Sequence, residues 1–283
     1  MLLKEIRHIF HVELDTIYPK EEVDSFFYLM VEHYLGLERF VLALQPNTMV
    51  SKEEEQPLFE GLSQLKLHRP VQYILGVAHF MDLEFKVDEN VLIPRPETEE
   101  LVRWIIALEK ERQGELKILD IGTGSGCIAI SLAKNLPNAK VYALDISRES
   151  LKIAQANADK NEVQVEFIEA DILETKDLEH QFDIIVSNPP YVRDLEKTEM
   201  SANVTDHEPG YALFVPNENP LLFYRKISEF AISHLKSGGC LYFEINQYLG
   251  KETLELMVNS GFTQLILQKD MFGNDRMIKG ELH

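Results

Sequence analysis

Asn188, Pro189, Pro190 and Tyr191 stand together at the end of an apolar run, Phe182-Asp-Ile-Ile-Val-Ser187. An amide or exocyclic amine nitrogen is a poor nucleophile, because its lone pair is delocalised. The side-chain carbonyl of a fixed Asn188 and a backbone carbonyl of the Pro189-Pro190 turn could accept both N–H bonds of one NH2 group. That would aim the nitrogen lone pair at an electrophile and favour a pyramidal nitrogen. Such catalysis works by positioning and electrostatics rather than by a strong base. Tyr191 offers a flat face to stack on a planar amide or base. The same residues also suit a plain Asn-Pro turn beside a core tyrosine, so the rest of the chain must decide.

The element that positions them is a strand. Phe182 to Val186 is mostly apolar and β-branched, as in a buried strand. Two consecutive prolines cannot donate ladder hydrogen bonds, so the strand ends there. The C-terminal ends of strands are where open α/β sheets bind ligands.

A second candidate site is Asp120-Ile-Gly-Thr-Gly-Ser-Gly126, which follows the apolar run Lys117 to Ile121 and opens a helix over Cys127 to Asn135. Glycines at 122, 124 and 126 let backbone pass close to a ligand. The dinucleotide fingerprint needs its third glycine one residue later, where this chain has Cys127, so NAD and FAD are disfavoured. Asp120, Asp145 and Asp171 are expected at the ends of three consecutive strands. Asp145 lies about 20 residues past the last glycine, suited to a ribose diol. Carboxylates repel phosphate and attract cations. S-adenosylmethionine has a ribose diol, an ammonium and a sulfonium, and no phosphate. Solvated aspartates in an acidic protein would give the same pattern.

Further out, residues 1–70 read as helices, with Leu2, Leu3, Ile6, Ile9 and Phe10 at helical spacing. Val23, Phe26, Phe27, Met30, Val31 and Tyr34 follow after a break at Tyr18-Pro19, and Leu37 to Leu44 reads as a short helix. Ser51-Lys-Glu-Glu54 has the capping-box pattern. Docking and structural support both suit this bundle. Residues 71–96 read as a linking β-hairpin, with Phe80 to Val87 extended, a turn at Asp88-Glu-Asn90, and Val91 to Ile93 returning. It ends in Pro94-Arg-Pro-Glu-Thr98, either a stiff linker or a strap bringing Arg95 or Glu97 to the site. Residues 97–283 alternate strand and helix, which implies a doubly wound, mostly parallel sheet. Gly238-Gly239 is expected to cap the helix from Pro220 to Leu235, and a final hairpin would add one antiparallel strand.

Composition narrows the classes. The net charge is −19, from 28 basic and 47 acidic residues, which argues against sequence-independent binding to DNA or RNA. The two cysteines, Cys127 and Cys240, lie far apart in apolar runs and read as small core residues. His8 and His11 share a helix face without further ligands, so no metal is expected. The opening residues carry charges where a leader needs an apolar core, and no run approaches membrane-spanning length. A cytoplasmic setting is expected, without membrane association.

The glycine loop together with Asn188-Pro-Pro-Tyr191 resembles class I methyltransferases that methylate planar nitrogens. Pro70-Val-Gln-Tyr-Ile-Leu-Gly76 through Phe80, with Val91-Leu-Ile-Pro-Arg-Pro-Glu-Thr-Glu99, more closely resembles the peptide chain release factor glutamine methyltransferases of the HemK/PrmC type. Glu208-Pro209, Ala212-Leu213 and Phe243-Glu-Ile245 extend the resemblance over nearly the whole chain.

The resemblance implies a Rossmann-like methyltransferase domain behind a helical docking domain. It implies N5-methylation, from S-adenosylmethionine, of the glutamine in the Gly-Gly-Gln motif of class 1 release factors of both types. Asn188, Pro189, Pro190 and Tyr191 would receive the glutamine amide, with Asn188, Pro189 and Tyr191 catalytic. Gly122, Thr123, Gly124, Ser125 and Gly126 would line the methionine part of the cofactor, flanked by Asp120 and Asn188. Asp145 would take the ribose, and Asp171 with Ile172 the adenine. Many members carry an aromatic residue where this chain has Ile172.

Three alternatives stand beside this reading. A ribosomal-protein glutamine would suit the same turn. A nucleic-acid amine would need a basic groove, which the charge opposes. A non-catalytic cofactor-binding module would not need Asn188.

Overall fold

The computed structural model describes residues 1–198 and 200–283. They form two units, Met1–Gly76 with Ser201–His207, and Val77–Met200 with Glu208–His283.

The first unit is helical. α1 (Leu3–Leu14) buries Leu3, Ile6, Phe10 and Leu14, one face at i, i+3, i+4 spacing. α2 (Lys20–Leu35) begins after Pro19 and closes on Gly36, whose φ of 64° places it in the left-handed region. α3 shrinks to the single turn Val41–Leu44, shorter than the expected helix, because only Val41 is buried. Without an apolar stripe to pack, a longer helix gains nothing there. α4 (Lys52–Leu65) has the expected capping box, with the Ser51 amide donating to Glu54 Oε2 at 2.8 Å and the Glu54 amide to Ser51 Oγ at 3.3 Å. α5 (Val71–Leu75) completes the bundle.

The second unit opens with β1 (Val77–Phe80) and β2 (Leu83–Lys86), an antiparallel hairpin. Its turn is Met81-Asp82, not Asp88–Asn90. Both turn residues have positive φ, 51° and 61°, as the tight turns that match strand twist require. Asp88 instead turns the chain locally, accepting the Asn90 amide at 2.9 Å, and residues 91–93 lie outside the described strands. α6 (Pro96–Glu109) has proline at its start and Glu97 and Glu99 in its first turn.

From there strand and helix alternate: β3 (Leu116–Ile121), α7 (Cys127–Asn135), β4 (Ala139–Asp145), α8 (Arg148–Lys160), β5 (Val165–Glu169) and β6 (Phe182–Ser187). A long connection follows, carrying β7 (Val192–Arg193), α9 (Ala202–Thr205), α10 (Gly210–Leu213) and β8 (Phe214–Val215). Of this connection, residues 201–207 pack with the first unit, where His207 Nε2 lies 2.9 Å from the Leu67 carbonyl. α11 (Leu222–His234), β9 (Leu235–Glu244), α12 (Gly250–Asn259), β10 (Thr263–Lys269) and β11 (Asp275–Glu281) complete the chain.

Seven strands make one sheet in the order β10-β11-β9-β6-β3-β4-β5. Among the described residues, β11 pairs antiparallel with both β10 and β9, and the other pairs are parallel. This is the expected Rossmann-like methyltransferase sheet. Period-2 alternation divides the core between its faces, with Ile118, Ile184 and Val186 on one and Leu119, Ile121 and Ile185 on the other. Cys127 and Cys240 are both buried in the first of these layers.

Gly238-Gly239 does not cap a helix. α11 ends at His234, and both glycines lie inside β9, where the Gly238 amide donates to the Leu282 carbonyl at 2.7 Å. A Cβ at Gly239 would stand 2.8 Å from the Lys236 carbonyl oxygen and 3.2 Å from that of Asp183. The glycine is required by backbone crowding at a bulge between Phe182 and Ile184.

Candidate functional site

The strand order reverses between β3 and β6, so the loops after these two strands open beside each other. Ile121 and Ser187 are register partners there, and Ser187 Oγ donates to the Ile121 carbonyl at 2.7 Å. The glycine loop and the Asn188 turn thereby border one cavity of about 450 Å³.

Of the residues singled out from sequence, Gly122, Gly124, Asp145, Asp171, Ile172, Asn188, Pro189 and Pro190 line this cavity. Gly122 and Gly124 have φ of 75° and 55°, and an added Cβ on either would meet nothing within 4 Å. They form an open cradle in a backbone conformation that L side chains rarely adopt. Asp145, the last residue of β4, is buried, and its carboxylate accepts the Gly124 amide at Oδ2 and the Ser147 amide at Oδ1, each at 2.8 Å. Burial raises its pKa against the pull of these amides. Asp171 accepts the Leu173 amide at 2.8 Å.

Asp120, Thr123, Ser125, Gly126 and Tyr191 are not in the lining. Asp120 lies within β3 rather than at its end and is fully buried. It accepts the Thr123 hydroxyl at 2.6 Å, and burial pushes its pKa up to about 7. Gly126 packs helix on helix, since a Cβ there would come within 2.8 Å of Ile130 Cδ1 and 3.1 Å of Ala154 Cβ. The Tyr191 ring packs with the core, and its hydroxyl donates to Glu244 Oε1 at 3.0 Å. A buried phenol needs an acceptor, which Glu244 supplies.

The Asn188 turn is braced by residues that local motifs do not reveal. Asn188 Nδ2 donates to Thr98 Oγ1 at 3.2 Å, and the Thr98 hydroxyl donates to Glu244 Oε2 at 2.6 Å. Thr98 and Glu244 are 2% and 1% exposed. Burial raises the Glu244 pKa, while its bonds from Thr98 and Tyr191 and the charge of Arg276 oppose the rise. Asn246 Nδ2 donates to the Tyr191 carbonyl at 3.0 Å. The strap through Pro94 therefore meets the site through Thr98. Neither Arg95 nor Glu97 lines the cavity, and Arg95 pairs with the buried carboxylate of Glu208, which also accepts the Ile93 amide at 3.2 Å.

Two further residues shape the rim and the loop. The Tyr211 hydroxyl donates to the Asn90 carbonyl at 2.8 Å, and both residues line the cavity. Asn157, fully buried in α8, accepts the Lys86 amide at 2.6 Å and donates to the Ser125 carbonyl at 2.9 Å. The residue-level signal for Asn157 and Glu244 is a polar group within an apolar pattern, which must find partners.

The described lining residues include two carboxylates and no lysine or arginine. With the open glycine cradle, that donor set fits a cationic, phosphate-free nucleoside such as S-adenosylmethionine better than a dinucleotide.

Comparison with known proteins agrees. Residues 104–206 match the methyltransferase small domain, and residues 12–76 match the PrmC N-terminal domain. The chain is 55% identical to the release factor glutamine methyltransferase of Flavobacterium psychrophilum over 99% of both chains. It is 46% identical to that of Bacteroides thetaiotaomicron over 94% of this chain and 95% of the relative. A methyltransferase structure from Pyrococcus furiosus, 19% identical, shares the fold with a TM-score of 0.51, covering 82% of this chain and 98% of that one. The chain thus belongs to the release factor glutamine methyltransferase family.

Proposed function

We infer that this enzyme methylates the side-chain amide nitrogen, N5, of a release factor glutamine, and that its target is the Gly-Gly-Gln glutamine of class 1 factors of both types. The observation that carries the reading is the placement of Asn188: it lines the cavity while its Nδ2 is committed to Thr98, which leaves Oδ1 free to accept. Family membership and relatives named release factor glutamine methyltransferases support the substrate.

S-adenosylmethionine supplies a methyl group made electrophilic by its sulfonium. Of the glycine loop, Gly122 and Gly124 would hold its methionine part, with Asp120 anchoring the loop through Thr123; Asp145 would take its ribose, and Asp171 with Ile172 its adenine. Asn188 Oδ1 and a backbone carbonyl of the Pro189-Pro190 turn accept the two N–H bonds of the glutamine amide. Fixing both protons aims the nitrogen lone pair away from the two acceptors and favours pyramidal nitrogen. The N–C bond would form as the methyl–sulfur bond breaks, leaving a neutral thioether, and the methylated nitrogen would then release its extra proton to solvent, so no general base is required before transfer. Tyr191 serves from behind the turn. The helical domain, residues 1–70, grips the release factor, the 71–96 segment links, and residues 97–283 carry out transfer. The chain works in the cytoplasm without binding nucleic acid or membrane, as its charge of −19 favours.

The test is transfer of label from S-adenosylmethionine to a class 1 release factor, to the same factor with its Gly-Gly-Gln glutamine replaced, and to mixed RNA. Label on the first alone supports the reading. Label on RNA overturns the protein substrate.

A further inference from the structure

We propose that Glu244 and Thr98 are positioning residues for methyl transfer, setting by hydrogen-bond polarity which end of the Asn188 amide faces the substrate. The proposal rests on the reading that Asn188 receives the glutamine amide.

An asparagine side chain is nearly symmetric in shape, and its two ends differ only as donor and acceptor. Turned around, Asn188 would offer an NH2 to another NH2 and could not hold the substrate. Something must therefore choose the orientation. Thr98 Oγ1, 3.2 Å from Asn188 Nδ2, does not choose by itself, because a hydroxyl can donate or accept. Its one hydrogen, however, is directed at Glu244 Oε2 at 2.6 Å. With that hydrogen taken, Thr98 can only accept from Asn188, so Nδ2 must face Thr98 and Oδ1 must face away.

The direction originates at Glu244. In its ionised form it has no hydrogen to give, and both of its bonds, from Thr98 and from Tyr191 at 3.0 Å, run inward. Tyr191 occupies the other oxygen and keeps the carboxylate from turning. The sheet supplies the placement: Phe243 of β9 is the register partner of Ser187, so Glu244 runs beside Asn188. Burial of Glu244 and Thr98 keeps out water that could satisfy either polarity.

The test compares Thr98→Val, Thr98→Ser, Glu244→Gln and the Thr98→Val/Glu244→Gln pair in steady-state methylation of a class 1 release factor, alongside cofactor affinity and thermal midpoint. Valine keeps the shape of threonine and removes the hydroxyl. Expected for Thr98→Val is a kcat about 10- to 100-fold lower, with cofactor affinity and KM for the release factor within about twofold. Thr98→Ser restores most of kcat. Glu244→Gln lowers kcat in the native background and lowers it less in the Thr98→Val background, because part of its effect passes through Thr98 and the rest through Tyr191. Equal rates for Thr98→Val and native enzyme, equal losses for valine and serine, or additive losses in the pair would each overturn the proposal. Asn188→Ala runs beside them. If that variant also keeps native kcat, the functional reading fails. If it loses activity while Thr98→Val does not, only the positioning role fails.

Discussion

Asn188 donates from Nδ2 to Oγ1 of Thr98 at 3.2 Å, across 90 positions of sequence. The bond joins the segment that follows the β-hairpin to the turn that ends β6. It holds one end of the Asn188 amide and leaves the other to the cavity. Removing this side chain should therefore affect transfer far more than cofactor binding. Asn188→Ala is expected to lower the methylation rate about 10²- to 10³-fold, the usual effect of losing one preorganised polar contact. Equilibrium dialysis with S-adenosylmethionine should show affinity within a few-fold of native. A variant with native transfer rate would remove Asn188 from the chemistry.

Asp120 predicts a pH dependence of stability. Its pKa rises from 3.8 to about 7 on folding, chiefly through burial. Between those values the folded protein holds a proton that the unfolded chain has released. Stability contributed here is present at low pH and is lost as pH rises through this window, by at most about 1.4 kcal/mol per pH unit. Asp145 and Glu244 are shifted in the same direction, so they add slopes of the same sign. Urea unfolding of native protein and Asp120→Asn, at intervals from pH 4 to 7, isolates the Asp120 share. The variant should show the shallower decline.

Gly126 predicts a backbone and packing defect. It combines a φ of 84° with the close approach to Ile130 Cδ1. Gly126→Ala should destabilise the fold by about 2–3 kcal/mol, read as a fall in the denaturant midpoint at unchanged m. At Gly124 a Cβ meets nothing, so Gly124→Ala should pay conformational strain alone and lose less stability.

Arg95 and Glu208 predict a coupled pair. The Glu208 side chain is fully buried and that of Arg95 is 33% exposed. Arg95→Ala leaves a buried carboxylate without its cation and should destabilise by about 2–3 kcal/mol. Adding Glu208→Gln, which can still accept the Ile93 amide, should recover about 1–2 kcal/mol. Additive losses in the cycle would show that the ion pair contributes nothing.

Local patterns exposed half of the site. The Asn188 turn and the glycine loop are each contiguous, and each follows an apolar strand, so spacing alone brought Gly122, Gly124 and Asn188 forward. Thr98 and Glu244 stayed hidden because they meet across 146 positions. The signal for Glu244 was its charge in the otherwise apolar run Cys240 to Ile245, since a buried carboxylate must have partners. Asp183 carried the same signal in β6 and is tied to Arg112, the Lys117 amide and Lys236. The ring of Tyr191 suggests stacking on a substrate, whereas the structure uses its hydroxyl, bonded to Glu244.

The sheet was legible from alternating strands and helices, but turn positions were not. Met81-Asp82 lacks the glycine or asparagine that marks a tight hairpin, so local pattern points to Asp88–Asn90 instead. Gly238-Gly239 carries the usual signature of a helix end, yet both lie within β9, Gly238 at a φ of 76° and Gly239 against neighbouring backbone.

The most direct test of the central claim is tandem mass spectrometry of the Gly-Gly-Gln peptide from a class 1 release factor incubated with this enzyme and S-adenosylmethionine. The account predicts one added methyl group, on the side-chain nitrogen of that glutamine, absent when Asn188→Ala replaces the native enzyme. A methyl group on another residue, or an unmodified peptide from a factor that the native enzyme binds, would contradict it.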